Sequence, residues 1–278
     1  MPAPAYATRS ERFAYWFLRA FVALVLLFLI APILAIMPLS FNSESFFSYP
    51  MPGYSLRWYQ DFLGNERWQS ALRLSVLLAV LTTILATTLG TMAALGLSRS
   101  RLPGKAAIMA VLISPMVVPA IISAIAMFFF YSKVGLTGTL PGLVLAHTAL
   151  ATPFVVITVT ATLTSFDWNL MRAGLSLGAA PFTVFRRVVF PLIMPGMISG
   201  ALFAFVTSFD EVIVVIFIAG PEQRTLPRQM FSGIREQISP TITAAATTLI
   251  LFSTLMLITL ELLRRRAERT RLAAVQTH

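Results

Sequence analysis

The 278-residue chain contains no cysteine, so it forms no disulfide and offers no thiolate to a metal. Histidine is nearly absent too, with only His147 and the terminal His278. No HExxH, no cluster of metal ligands and no GxSxG elbow occurs, which removes the common designs of metal-dependent and serine hydrolysis. No GxxxxGK[ST] occurs either, so there is no P-loop to cradle nucleotide phosphates. Charge is scarce: Asp, Glu, Lys and Arg make up 12% of the residues, against 57% hydrophobic, and the mean hydropathy is +0.81. A soluble domain of this size has no use for so much apolar surface, so the composition is that of a polytopic membrane protein. The net charge of +10 does not read as nucleic-acid binding, because the basic residues punctuate apolar runs instead of forming a patch. No segment fits a cleavable signal peptide, since the first apolar run is long and no suitable small-residue site follows it.

What is present is a series of long apolar runs. A hydrocarbon core of ~30 Å takes about 20 residues of helix. By that measure the chain has six spans, near 14–38, 71–97, 106–131, 141–164, 194–219 and 241–263. All must be helical, because lipid offers backbone amides no partner. The expected class is therefore all-α, six transmembrane helices in a single domain over 1–278. Basic residues fall about two to one on the side shared by both termini, which predicts N- and C-termini in the cytoplasm. The end of the chain, 264–278, reads as a basic cytoplasmic tail without order. Tyr54, Trp58, Tyr59 and Trp68 suit a membrane–water boundary. Pro32, Pro115, Pro119 and Pro153 lie within spans, and the close pair Pro115 and Pro119 marks a local kink. Gly196 and Gly200 form a GxxxG pattern that permits close helix approach.

The stretch Ser165–Gly196, SFDWNLMRAGLSLGAAPFTVFRRVVFPLIMPG, lies between two spans and carries too much charge to be one. It reads as two short helices joined by a bend. Asp167 caps the first, Gly178 ends it, and Pro181 opens the second. Pro191 and Pro195 then close the segment at the edge of the next span. Leu170, Met171, Leu175, Phe182 and Phe185 are bulky and apolar, and an apolar helix in water calls for a groove in a partner.

The order Arg172-Ala173-Gly174, Gly178, then Val188-x-Phe190-Pro191 resembles the "EAA" loop of ABC-importer permeases. Ala173, Gly178 and Pro191 fall at the family's spacing, while Arg172 replaces its acid and Gly174 its second alanine. The resemblance implies the type I ABC-importer permease fold, with residues 165–190 as a cytoplasmic coupling loop that docks on a separate ATPase. Arg172, Ala173, Gly174, Leu177, Gly178, Phe182, Phe185 and Pro191 are the residues expected at that contact. Ser40-Phe41-Asn42-Ser43, Leu56-Arg57-Trp58-Tyr59, Ser208-Phe209-Asp210-Glu211-Val212, Gly220-Pro221 and Thr225-Leu226-Pro227 are similar to the polyamine-type branch. That likeness implies spermidine, putrescine or a related small organic ion as solute. It also implies a second permease subunit, two ATPase subunits and a periplasmic binding protein, in a bacterial inner membrane. No cofactor is expected on this chain, and ATP with magnesium belongs to the partners.

Asp210-Glu211 is the most informative polar feature within a span. A charge near a helix centre costs about 2.5–3.5 kcal/mol on insertion scales, and such acids face a cavity or a partner. Successive helical residues point about 100° apart, so one acid is expected to face the path and the other a subunit interface or a basic partner. Thr207 and Ser208 are candidate oxygen donors beside Asp210; His147 reads as a packed or interfacial residue. The expected mechanism is alternating access, with the ATPases moving residues 167–190. The rival is a gradient-driven transporter or channel, which calls for paired broken helices in repeated halves. No internal repeat is evident.

Overall fold

The computed structural model describes residues 8–99, 103–164, 166–236 and 239–276. Among them the regular structure is helical, with one isolated bridge between Asn42 and Tyr54. The helices are α1 (Arg9–Leu39), α2 (Arg57–Gly64), α3 (Glu66–Arg99), α4 (Lys105–Val117), α5 (Ala120–Lys133) and α6 (Leu140–Thr164). They continue with α7 (Asn169–Ser176), α8 (Pro181–Val184), a π-turn (Phe185–Val189), α9 (Phe190–Asp210), α10 (Ile213–Ile218), α11 (Leu226–Glu236) and α12 (Pro240–Gln276). Five helical segments are long and apolar enough to cross a membrane; α4 and α5, bent by 106° at the break between them, count as a sixth when the pair is taken as one span.

That bend falls at the kink expected from Pro115 and Pro119, and proline chemistry accounts for it. Val118 precedes Pro119, whose ring disfavours helical backbone at the preceding residue. Val118 is accordingly extended, with ψ 132°, and α5 restarts after Pro119. The fifth span is also broken: α9 ends at Asp210, and Glu211 is extended at φ −71°, ψ 121° before α10 begins. The tail differs as well, because α12 runs on through Gln276. Its Arg, Ala, Glu and Leu residues are strong helix formers, so nothing local stops the helix.

Contacts divide the chain into two compact units. The first comprises 1–64 and 233–250. Within it, Ser40 and Tyr59 share a 2.7 Å hydroxyl bond, the Trp58 indole donates to the Asn42 carbonyl at 2.7 Å, and Thr241 donates to Asp61 at 2.7 Å. The boundary aromatics Trp58 and Tyr59 thus brace their own loop. α1 has no buried residue, and most of its apolar side chains stay exposed.

The second unit comprises 65–232 and 251–278, with α3, α6 and α9 at its centre. Leu78 and Leu143 share one buried cluster; Ala86 with Ala151, and Ala94 with Val159, share another. The earlier parts of both helices meet in the first cluster and the later parts in the second, so α3 and α6 run in the same direction. Glycines let them touch. A Cβ on Gly90 would stand 2.7 Å from Val155, and one on Gly200 would stand 2.6 Å from the Thr158 hydroxyl. The GxxxG pattern therefore packs α9 on α6 within the chain.

Candidate functional site

Two places concentrate the polar and exposed features expected from the sequence: the elbow at 166–191 and the helix break at 207–214. The elbow is built by local chemistry. The Asp167 carboxylate accepts the Asn169 N–H at 2.9 Å, covering an orphan donor at the start of α7. Gly178 adopts φ +82°, the left-handed conformation that closes α7, with its N–H on the Leu175 carbonyl. Pro181 stands at the first position of α8. Gly174 faces Val184, and a Cβ there would lie 3.1 Å from a valine methyl. A glycine in place of the family's second alanine thus lets α7 close tightly on α8.

The expectation that Pro191 and Pro195 close the segment is overturned. Helix runs from Pro181 to Asp210 through the π-turn, where the Phe190 N–H bonds the Phe185 carbonyl. A proline in regular α-helix meets the carbonyl four residues back. The wider turn displaces that carbonyl and lets Pro191 sit inside the helix.

Of the five apolar residues expected on the elbow surface, Leu170, Leu175 and Phe182 are exposed, Phe182 by 72%. Leu177, at the tip, is 88% exposed. Met171 and Phe185 instead pack against the buried cluster of α3, α6 and α9. The exposed face is thus narrower than the sequence implies, because the first turn after Pro181 winds Phe185 inward. Arg172, Ala173, Gly178, Arg186 and Arg187 are exposed, while Gly174 is half-buried. Between α7 and the end of α3 lies a cleft of about 280 Å³ lined by Ser98, Trp168, Met171, Arg172 and Leu175.

At the break the two acids part company. The Glu211 carboxylate accepts the Val214 N–H at 2.9 Å and so caps α10. Asp210 is exposed, and no hydrogen bond or ion pair among the described residues engages its carboxylate. The separation arises from the extended backbone at Glu211, not from the 100° step of a continuous helix. Thr207 is half-buried. Ser208 is 4% exposed and turned inward, its hydroxyl sharing a 2.9 Å hydrogen bond with His147 Nδ1. Beyond α10 the chain is held by Gln223, whose side chain accepts the Gly220 N–H at 2.9 Å. Arg228 donates to the Gly220 and Gln223 carbonyls at 2.9 and 3.0 Å. Burial, with neighbouring Arg224, holds the Arg228 guanidinium below its usual pKa. Sequence reasoning missed the Ser208–His147 bond, which joins residues 61 apart in sequence. It missed the capping role of Glu211 because that role exists only where the helix breaks.

Residues 86–269 match the family described as "Binding-protein-dependent transport system inner membrane component". The chain belongs to this family and is an inner-membrane permease subunit of an ABC importer, a system whose ATPase is a separate subunit. It is 32% identical over 245 residues to the spermidine/putrescine transport system permease protein PotC of Escherichia coli (strain K12), covering 88% of this chain and 92% of that one. Its identity to the putrescine transport system permease protein PotI of the same strain is also 32%, over 227 residues, covering 79% and 80%. Among solved structures, a bacterial ABC transporter involved in the import of the acidic polysaccharide alginate shares the fold. It aligns with TM-score 0.71 over 95% of this chain and 99% of that one, at 15% identity. Family membership sets aside the gradient-driven alternative.

Proposed function

We propose that this chain forms half of a translocation path for a small organic cation of the polyamine type, with Asp210 as the residue that meets the cation. One observation carries the reading: an unengaged, exposed carboxylate stands at a helix break inside an apolar span. An acid so placed is expensive to keep in a membrane unless a cavity or cation receives it. The likeness to PotC and PotI supports the class of solute. Glu211 serves the break as a cap, Thr207 borders it, and Ser208 supports it from behind.

The working complex pairs this chain with a second permease subunit, two ATPase subunits that carry ATP and magnesium, and a periplasmic binding protein. The family's dependence on a binding protein supports the last of these. Both termini and the elbow face the cytoplasm, a reading supported by the two-to-one distribution of basic residues. Leu177 and Phe182 enter a groove of the ATPase, with Arg172, Ala173, Gly174 and Gly178 shaping α7 behind them. Phe185 and Pro191 act indirectly, by seating α8 on the core. ATP-driven closure of the partners moves the elbow, and α9 carries the movement to the break.

The test is uptake of radiolabelled spermidine and putrescine into proteoliposomes holding the whole complex. Asp210→Asn removes one charge-assisted contact, about 1.5–3 kcal/mol, so kcat/KM for uptake falls by roughly 10- to 150-fold with assembly intact. Wild-type uptake kinetics for this variant would remove Asp210 from the path.

A further inference from the structure

His147 plays no part in the reading above, and its surroundings are unusual for a histidine. It sits on α6, 1% exposed, within the bilayer-spanning part of the chain. Its Nδ1 shares the 2.9 Å bond with Ser208, while its Nε2 is buried with no partner. Most of the buried or half-buried hydroxyls on α6, those of Thr148, Thr152, Thr158 and Thr162, bond back to carbonyls of their own helix. Ser208 does not, and its bond crosses between helices. The imidazole therefore has a single polar anchor among the described residues, and that anchor lies two residues before Asp210.

The far side of the break rests on the same stretch of α6. Val214, Val215 and Ile218 of α10 are fully buried in one cluster with Leu143, Val144, Ala146 and Leu150. α6 thus grips the chain before the break by a hydrogen bond and after it by packing. Between the grips Phe209 is buried beside Phe205 and Phe252 and Ile213 packs on the cluster of α10, so the backbone at Asp210, Glu211 and Val212 sets the direction of the Asp210 carboxylate. A packed apolar grip resists separation but is weakly directional, whereas a buried hydrogen bond fixes orientation. From this geometry we propose that His147 is a positioning residue: through Ser208 it fixes the end of α9 and thereby the direction in which Asp210 is presented.

The relevance to transport rests on Asp210 lining the path, so the test separates the two. Cysteine is absent from the chain, and a single cysteine at Val212 reports the geometry of the break without any transport. In the assembled complex, His147→Ala and Ser208→Ala are each expected to change the maleimide labelling rate of that cysteine by about threefold or more. His147→Asn, whose amide occupies the place of Nδ1, is expected to restore the wild-type rate. For spermidine uptake, the two alanine variants raise KM by about fivefold with little change in maximal rate, and the double variant is no worse than either single one. Unchanged labelling in His147→Ala overturns the proposal, and so does failure of His147→Asn to rescue, because general loss of packing then explains the effect. Altered labelling with unchanged KM upholds the positioning role and instead overturns the placement of Asp210 on the path.

Discussion

Phe182 and Phe185 lie one turn apart, and the proposed docking of the elbow gives them opposite duties. Phe182 is 72% exposed, whereas Phe185 packs on the buried cluster of α3, α6 and α9. Taking about 200 Å² for a phenylalanine side chain and about 25 cal/mol per Å², the exposed share of Phe182 corresponds to roughly 3.6 kcal/mol if a partner covered it completely. The alanine Cβ that survives truncation, and incomplete cover, leave about 2 kcal/mol, or ~30-fold in Kd for the ATPase subunit. Phe182→Ala is therefore expected to weaken the complex while leaving the isolated permease as stable as before. Phe185→Ala inverts the pattern. Truncating a fully buried phenylalanine costs about 3–5 kcal/mol, and a half-buried one about half of that, charged to the fold itself. Two measurements on each variant separate the duties: affinity for the purified ATPase in detergent, and midpoint of unfolding of the permease alone. If Phe182→Ala destabilises the isolated chain as much as Phe185→Ala does, or binds the ATPase normally, the division fails and with it the docking face.

Other perturbations follow from the same geometry. Glu211→Gln keeps an acceptor for the Val214 N–H and should leave stability within about 0.5 kcal/mol, whereas Glu211→Ala should cost about 1 kcal/mol in chemical denaturation; equal losses would deny the cap. Gly200→Ala forces a methyl towards Thr158 and Val155, and should lower stability by about 1–3 kcal/mol; a neutral effect would show that α9 moves away freely. A single cysteine at Ser176, exposed on the elbow, should react with membrane-impermeant thiol reagents only in inside-out vesicles; labelling of intact cells from outside would reverse the assigned orientation.

The parts of this molecule that were legible in the sequence are those governed by near neighbours. Asp167, Gly178 and Pro181 each act on backbone within a few residues, and all three take their expected positions at the ends of α7 and α8. Pro119 likewise breaks the third span through its effect on Val118, although nothing local fixes the size of the angle. What was not legible depends on segments distant in sequence. Phe185 reads as exposed until α3, α6 and α9 close over one side of α8. Ser208 reads as a companion of Asp210 until His147 arrives from α6. The failure over Pro191 is of another kind: proline normally ends a helix, and only a π-turn, which leaves no clear sequence signature, accommodates it.

That π-turn matters for the proposed transmission. Between Phe182 and Asp210 there is no loop, only helix, about 42 Å long at 1.5 Å per residue. A push on the elbow tip can thus reach the break with little absorbed on the way, provided the helix is seated firmly against its neighbours. The seating is tight along much of its length: Val184 and Val189 are buried near the elbow, and Ile193, Gly196, Gly200, Ala204 and Ser208 are buried along α9. The π-turn is the weakest link, because its wider hydrogen bonds are less favourable than those of an α-helix and a neighbouring proline leaves one carbonyl without its usual donor. It lies between the exposed elbow residues Leu177 and Phe182 and the close contacts of Gly196 and Gly200. Flexing there tilts α7 and α8 without prising α9 from α6, whereas a rigid turn forces the whole helix to move as one. Burial of Val189 and the packing of Phe185 on the same cluster seat both ends of the turn against the core and favour the second behaviour.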